Sequence, residues 1–141
     1  MFKLTATLLL LGRAATTCFG QTTPYPPKVV VNVALTAQGG AIPSTPVLTF
    51  KTKLYRINMY YENFAKTADC GTSISPQFQW IDDTKATRTT SFSPVECDSW
   101  GYREQSFIIR GVPGTALMYS VLANPQDTIQ YDLYITVEQL Q

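Results

Sequence analysis

The feature that most constrains this chain is a side-chain period of two that recurs from residue 28 almost to the C-terminus. In "LYRINMYYE" (54–62), Tyr55, Ile57, Met59 and Tyr61 share one side, while Arg56, Asn58, Tyr60 and Glu62 share the other. Over 129–138, Tyr131, Leu133, Ile135 and Val137 alternate with Gln130, Asp132, Tyr134 and Thr136 in the same way. Such a period sends alternate side chains to opposite faces of a strand, one toward a core and one toward water. No window sustains the i, i+3, i+4, i+7 spacing of an amphipathic helix. "KVVVNVALT" (28–36) places Val29, Val31, Val33 and Leu35 on one face, and "VLTF" (47–50) reads as a short edge strand. Further strands are expected at 77–81, 87–92, 103–110 and 115–122.

Between these runs stand glycine, proline, asparagine and aspartate, the residues of turns. "AQGGAIPSTP" (37–46) reads as a turn-rich break, and "LANPQDT" (122–128) as another. In "RGVPGTA" (110–116), Pro113 presets its own dihedral and Gly114 accepts a positive one, which predicts a type II turn within a hairpin connection. Alternation with one polar face fits antiparallel sheets packed face to face, because parallel sheets covered on both sides read as unbroken apolar runs. The expected fold class is therefore all-β: a single antiparallel β-sandwich, jelly-roll or immunoglobulin-like, of about eight strands over residues 29–141.

The segment before the sandwich has its own signature. Lys3, the apolar run "LTATLLLL" (4–11) and the small residues of "CFG" (18–20) read as an export signal over residues 1–20, with Arg13 as an irregularity. The apolar run falls short of the roughly 20 residues that span a bilayer, so no membrane span is expected. Lipid attachment at Cys18 is the alternative, but "ATTC" lacks the small residue that usually precedes such a cysteine. "QTTPYPPK" (21–28) is a proline-rich leader suited to an extended tether. The expected location is secreted, with the periplasm or cell surface also open.

Export makes the cysteines informative. Removing residues 1–20 leaves Cys70 and Cys97, an even pair whose simplest fate in an oxidising compartment is a disulfide. The bond would close a loop of a few tens of residues and contribute roughly 3 kcal/mol in the chain-entropy treatment. Zinc would need more ligands than two thiolates, and the chain has no histidine. Neither a metal nor any other cofactor is expected.

Charge and composition narrow the partners. Lys3 and Arg13 leave with the signal, so nine basic residues face ten acidic ones. A near-neutral chain without a basic cluster is a poor ligand for nucleic acid, whose binding rests on phosphate neutralisation. Without histidine the usual base of serine and cysteine nucleophiles is missing. A glycosidase needs only two carboxylates, but Glu62, Glu104, Asp132 and Glu138 fall at polar positions or strand ends, where nothing predicts a raised pKa. No enzyme is expected and no catalytic residue is assigned.

The remaining candidates are aromatic. "FQWIDDTK" (78–85) sets Trp80 beside Asp82 and Asp83, which suggests a sugar platform or a calcium site. Aspartates bond their own backbone in turns, and two neighbouring carboxylates supply too few oxygens for calcium, so a turn is expected with Trp80 in the core. "ECDSWGYRE" (96–104) carries Trp100 and Tyr102 in a loop after Cys97, where rigid aromatics could stack on a sugar or protein ligand. The alternative is that Trp100 covers the disulfide. Tyr60 and Tyr134, outward-facing and flanked by Arg56, Asn58 and Asp132, could add a flat polar–aromatic surface. An unpaired strand also invites partners, and the valine-rich segment 29–35 could pair with a neighbouring subunit, although the first strand of its own sandwich is the expected role.

At "AIPSTPVLTFKTKLYRINMYYE", "WIDDT", "FIIRGVPGTALMYSV" and "YDLYITVEQL" the chain resembles a loose group of uncharacterised exported bacterial proteins and phage-associated β-sandwich domains, over most of residues 41–140. The resemblance implies a compact β-sandwich and no particular activity. Three functions are therefore weighed: a secreted, non-enzymatic structural or interaction domain at the cell surface, in the matrix or in an assembled particle; a carbohydrate-binding module using Trp100, Tyr102 and Tyr60; and a hydrolase with a carboxylate pair. Self-assembly or a glycan is the expected kind of partner.

Overall fold

The computed structural model describes residues 26–63, 74–92, 101–123 and 130–140. Cys70, Cys97, Trp100 and the leader before residue 26 lie outside them. Eight strands run β1 (Lys28–Gly39), β2 (Ile42–Thr49), β3 (Leu54–Asn63), β4 (Ser75–Ile81), β5 (Thr87–Ser91), β6 (Gly101–Arg110), β7 (Ala116–Leu122) and β8 (Gln130–Gln139). They form two four-stranded sheets, in the orders β1-β8-β3-β6 and β2-β7-β4-β5, with every pairing antiparallel. This is the jelly-roll order, in which the chain crosses from sheet to sheet rather than folding into successive hairpins.

The alternation that defines the strands also builds the core. Tyr55, Ile57, Met59 and Tyr61 of β3 face Tyr131, Leu133, Ile135 and Val137 of β8 along the inside of the first sheet, all at most 1% exposed. Phe78, Leu117, Tyr119 and Val121 supply the second sheet's inner face, joined by Phe50, Ile74, Phe92 and Ile109. Trp80 is half-buried at the rim, packed against this core with its ring centroid 6.4 Å from that of Phe107. On β1, Val31, Val33 and Leu35 pack inward as expected, but Val29 is 54% exposed because a bulge separates it from Val31 in the pairing with β8.

Two connections differ from the expectations. Residues 37–46 are not one long break: only Gly40 and Ala41 separate β1 from β2. Gly40 at φ +76° makes the corner, and Tyr131 inside the sandwich donates its hydroxyl to the Gly40 carbonyl at 2.9 Å. Pro43 and Pro46 then sit within β2, an edge strand, where a missing N–H need not break a ladder. The second difference is at 110–116. Its turn is as expected, with Gly114 at φ +87° and the Thr115 N–H donating to the Val112 carbonyl at 3.1 Å. Yet β6 and β7 belong to different sheets, so it is a crossover and not a hairpin. β1 pairs with β8 in its own sandwich, the role expected of it.

Candidate functional site

The outer face of the first sheet brings together three of the aromatic residues singled out from sequence. Because β3, β6 and β8 alternate in phase, Tyr60, Tyr102 and Tyr134 all project away from the core. Register sets their neighbours: Tyr60 stands opposite Tyr134 on one side and Glu104 on the other, while Glu62 stands between Asp132 and Tyr102. Tyr60 is the hub, with ring centroids 6.0 Å from both Tyr102 and Tyr134 and planes inclined by 20° and 50°. Tyr102, expected in a loop, is the second residue of β6 and is 64% exposed. Trp100 and the two cysteines cannot be added to this picture, since they lie outside the described residues.

Two hydroxyls anchor the rings. Tyr60 donates to Glu62 Oε2 at 3.0 Å, and Tyr134 donates to Asp132 Oδ2 at 3.2 Å. Asp132 Oδ1 in turn accepts the Ala37 N–H at 2.8 Å, where β1 bulges and Ala37 takes φ +52°. The hydrogen bond to Glu62 pushes the Tyr60 phenol above its ordinary pKa, with partial burial adding to it. For Tyr134, loss of hydration comes first and the bond to Asp132 second, in the same direction.

The electrostatics of this face are unusual. Glu62 and Asp132 are directly opposite one another across β3 and β8, an arrangement in which like charges weaken a sheet. Glu104 lies one row away. The ion pairs found among the described residues join Arg56 to Glu138 at 3.2 Å, Arg110 to Asp83 at 3.5 Å, and Arg88 to Asp82. None of them neutralises Glu62, Asp132 or Glu104.

The "WIDDTK" segment, by contrast, is a turn, as expected. Asp82 is buried and its Oδ1 accepts the Thr84 N–H at 2.9 Å, the Thr84 hydroxyl at 2.6 Å and the Ala86 N–H at 3.1 Å, while Oδ2 accepts from Arg88. These bonds, the Thr84 hydroxyl foremost and Arg88 next, hold its carboxyl far below the usual range. With its oxygens so occupied, Asp82 closes the β4–β5 connection. No group of three or more histidine, cysteine, aspartate or glutamate residues is placed to hold a metal ion among the described residues.

A groove of about 600 Å³ opens between the edges of β1 and β2, lined by Val29, Val30, Leu48 and Tyr55 among others. Its valines and leucine are interleaved with Lys28, Thr49, Lys51 and Gln139, and it holds no carboxylate or thiol among its lining residues.

No known protein family matches the chain, and no curated protein matches it by sequence. Among solved structures, one described as "Family 16 Carbohydrate Binding Module-2" aligns with a TM-score of 0.40 and 16% identity, over 79% of this chain and 82% of that one. Another, from work titled "Bacillus endospore appendages form a novel family of disulfide-linked pili", aligns with a TM-score of 0.43 and 8% identity, over 83% of this chain and 92% of that one. Neither likeness transfers a residue role, so the chemistry of the tyrosine face rests on its own side chains.

Proposed function

We propose that this chain is an exported, non-catalytic β-sandwich that acts as a structural or interaction domain through the outer face of its first sheet. One observation carries the reading: three tyrosines cluster on an open sheet surface beside a cross-strand pair of carboxylates that no described cation neutralises. A like-charged pair costs stability, and locally unfavourable choices of this kind are characteristic of functional surfaces. Tyrosine is suited to such a surface because it offers a large contact area with few rotatable bonds and a polar tip. The signal-like residues 1–20 and the Cys70/Cys97 pair support a place outside the cytoplasm.

The test is retention of the protein on isolated cell-envelope and matrix fractions of an exporting host, compared with a Tyr60→Ala/Tyr102→Ala variant. Loss of retention with an unchanged β-type circular dichroism spectrum is expected. Equal retention of the two proteins would remove the tyrosine face from the function.

A second reading, a carbohydrate-binding module, draws on the same rings, because exposed Tyr102 and half-buried Tyr60 and Tyr134 form a neighbouring aromatic set on an open sheet face on which a sugar's apolar face can stack. A glycan array separates the two. Binding that disappears with Tyr102→Ala and with Trp100→Ala favours the module; an empty array leaves the interaction domain.

A further inference from the structure

A sandwich has four edge strands, and in this one they are not equally protected. β1 is broken by bulges near Val30 and between Leu35 and Gln38. β2 carries Pro43 and Pro46 and two further irregularities in its pairing with β7. β5 has only five residues, Thr87–Ser91. Bulges, prolines and short length are the devices by which natural sheets keep edges from pairing with other chains. β6 has none of these three, and its protection is limited to charges, the inward-facing Arg103 among them. Its ten residues pair with β3 in unbroken register from Gly101↔Asn63 to Arg110↔Leu54, and nothing described pairs with its other side. Ile108 on its outer face is 57% exposed.

We infer that β6 is a self-pairing edge, at which two copies of this chain join antiparallel about Phe107 and continue the first sheet from one molecule into the next. The occupant follows from the strand's own sequence, "GYREQSFIIR". In an antiparallel pair, residues directly opposite share a face. Centring the two-fold on Phe107 sets Glu104 opposite Arg110 of the second copy, twice by symmetry, and Ile108 opposite Ser106. Registers centred on Gln105 or Ser106 put no opposite charges face to face. Arg110 is free to exchange partners, since its contact with Asp83 spans 3.5 Å and its side chain is 70% exposed. The inward-facing Arg103 and Gln105 are exposed in the single chain, outside its buried core. Phe107 meets its own copy, and Arg103 falls opposite Gly111, which has no side chain to obstruct it. The result is an isologous dimer with one continuous eight-stranded sheet. It borders the tyrosine face at Glu104, which stands opposite Tyr60, but leaves Tyr102 beyond the paired span.

The test is sedimentation equilibrium on protein recovered from an exporting host, over concentrations reaching about 1 mM. Glu104→Arg and Arg110→Glu should each weaken dimerisation about tenfold by turning two attractive pairs into repulsive ones. An equimolar mixture of the two variants should recover wild-type affinity as a heterodimer, which also shows that both are folded. Tyr134→Ala should dimerise like wild type, so failure of this inference is distinguishable from failure of the tyrosine-face reading. A wild-type chain that stays monomeric throughout, or a dimer indifferent to both charge reversals, would overturn the inference.

Discussion

Two buried tyrosines, 5.6 Å apart between ring centroids, allow a test of how the core treats polar groups. Tyr131 and Tyr61 are both at most 1% exposed, and burial raises both phenols, that of Tyr131 to about 12. Only Tyr131 has a partner for its hydroxyl among the described residues, the Gly40 carbonyl at the corner between β1 and β2. Removing that hydroxyl with Tyr131→Phe loses a hydrogen bond and costs about 1 kcal/mol. Removing the Tyr61 hydroxyl with Tyr61→Phe takes away a desolvated group that gains nothing in return, so stability should rise by about 1 kcal/mol. With a urea dependence of about 2 kcal/mol per M, the two variants should unfold about 1 M apart, on opposite sides of wild type. Chemical denaturation followed by tyrosine and tryptophan fluorescence measures the difference. If both substitutions destabilise equally, the hydroxyls are not distinguished by their partners and the reasoning fails.

Other expectations follow from single contacts. A Cβ at Gly111 would lie 2.4 Å from two atoms of the buried Phe50 ring, so Gly111→Ala should cost about 3 kcal/mol, and in a Phe50→Leu background visibly less; equal costs in both backgrounds would clear the ring of responsibility. The Asp82 carboxyl titrates below its ordinary range near pH 4 when folded, so its contribution is complete above that pH and fades as the pH falls toward the depressed folded value. Asp82→Asn should therefore lower the melting temperature at pH 7 and flatten its decline in acid, and an unchanged acid limb would contradict the turn's role. Exported protein should show no free thiol, because Cys70 and Cys97 are expected to be joined; two reactive thiols would exclude the bond.

The sequence made the strands legible wherever one face is buried and the other wet. Tyr55, Ile57, Met59 and Tyr61 could belong to nothing but an inward strand face, and β8 was equally clear. It failed where proline and glycine have more than one use. "AQGGAIPSTP" looked like a loop because Pro43 and Pro46 rarely sit in strands, and only the place of β2 at a sheet edge makes them tolerable. The crossover at Gly114 looked like a hairpin because local turn chemistry is blind to which sheet the next strand joins. Half of the site was visible as outward tyrosines on β3 and β8. The opposition of Glu62 to Asp132, and the arrival of Tyr102 beside Tyr60, depend on cross-strand register, which no local pattern encodes.

The strand orders carry a kinetic consequence. β8 sits between β1 and β3, so the first strand's only sheet neighbour among the described strands lies about a hundred residues further along the chain. Until β8 has emerged, β1 has no strand to pair with in its sheet, and β3 lacks one of its two neighbours. Closure of such distant partners is slow, on the order of milliseconds to seconds for sandwiches of this type. The first sheet therefore cannot be completed strand by strand, and must close through one long-range step.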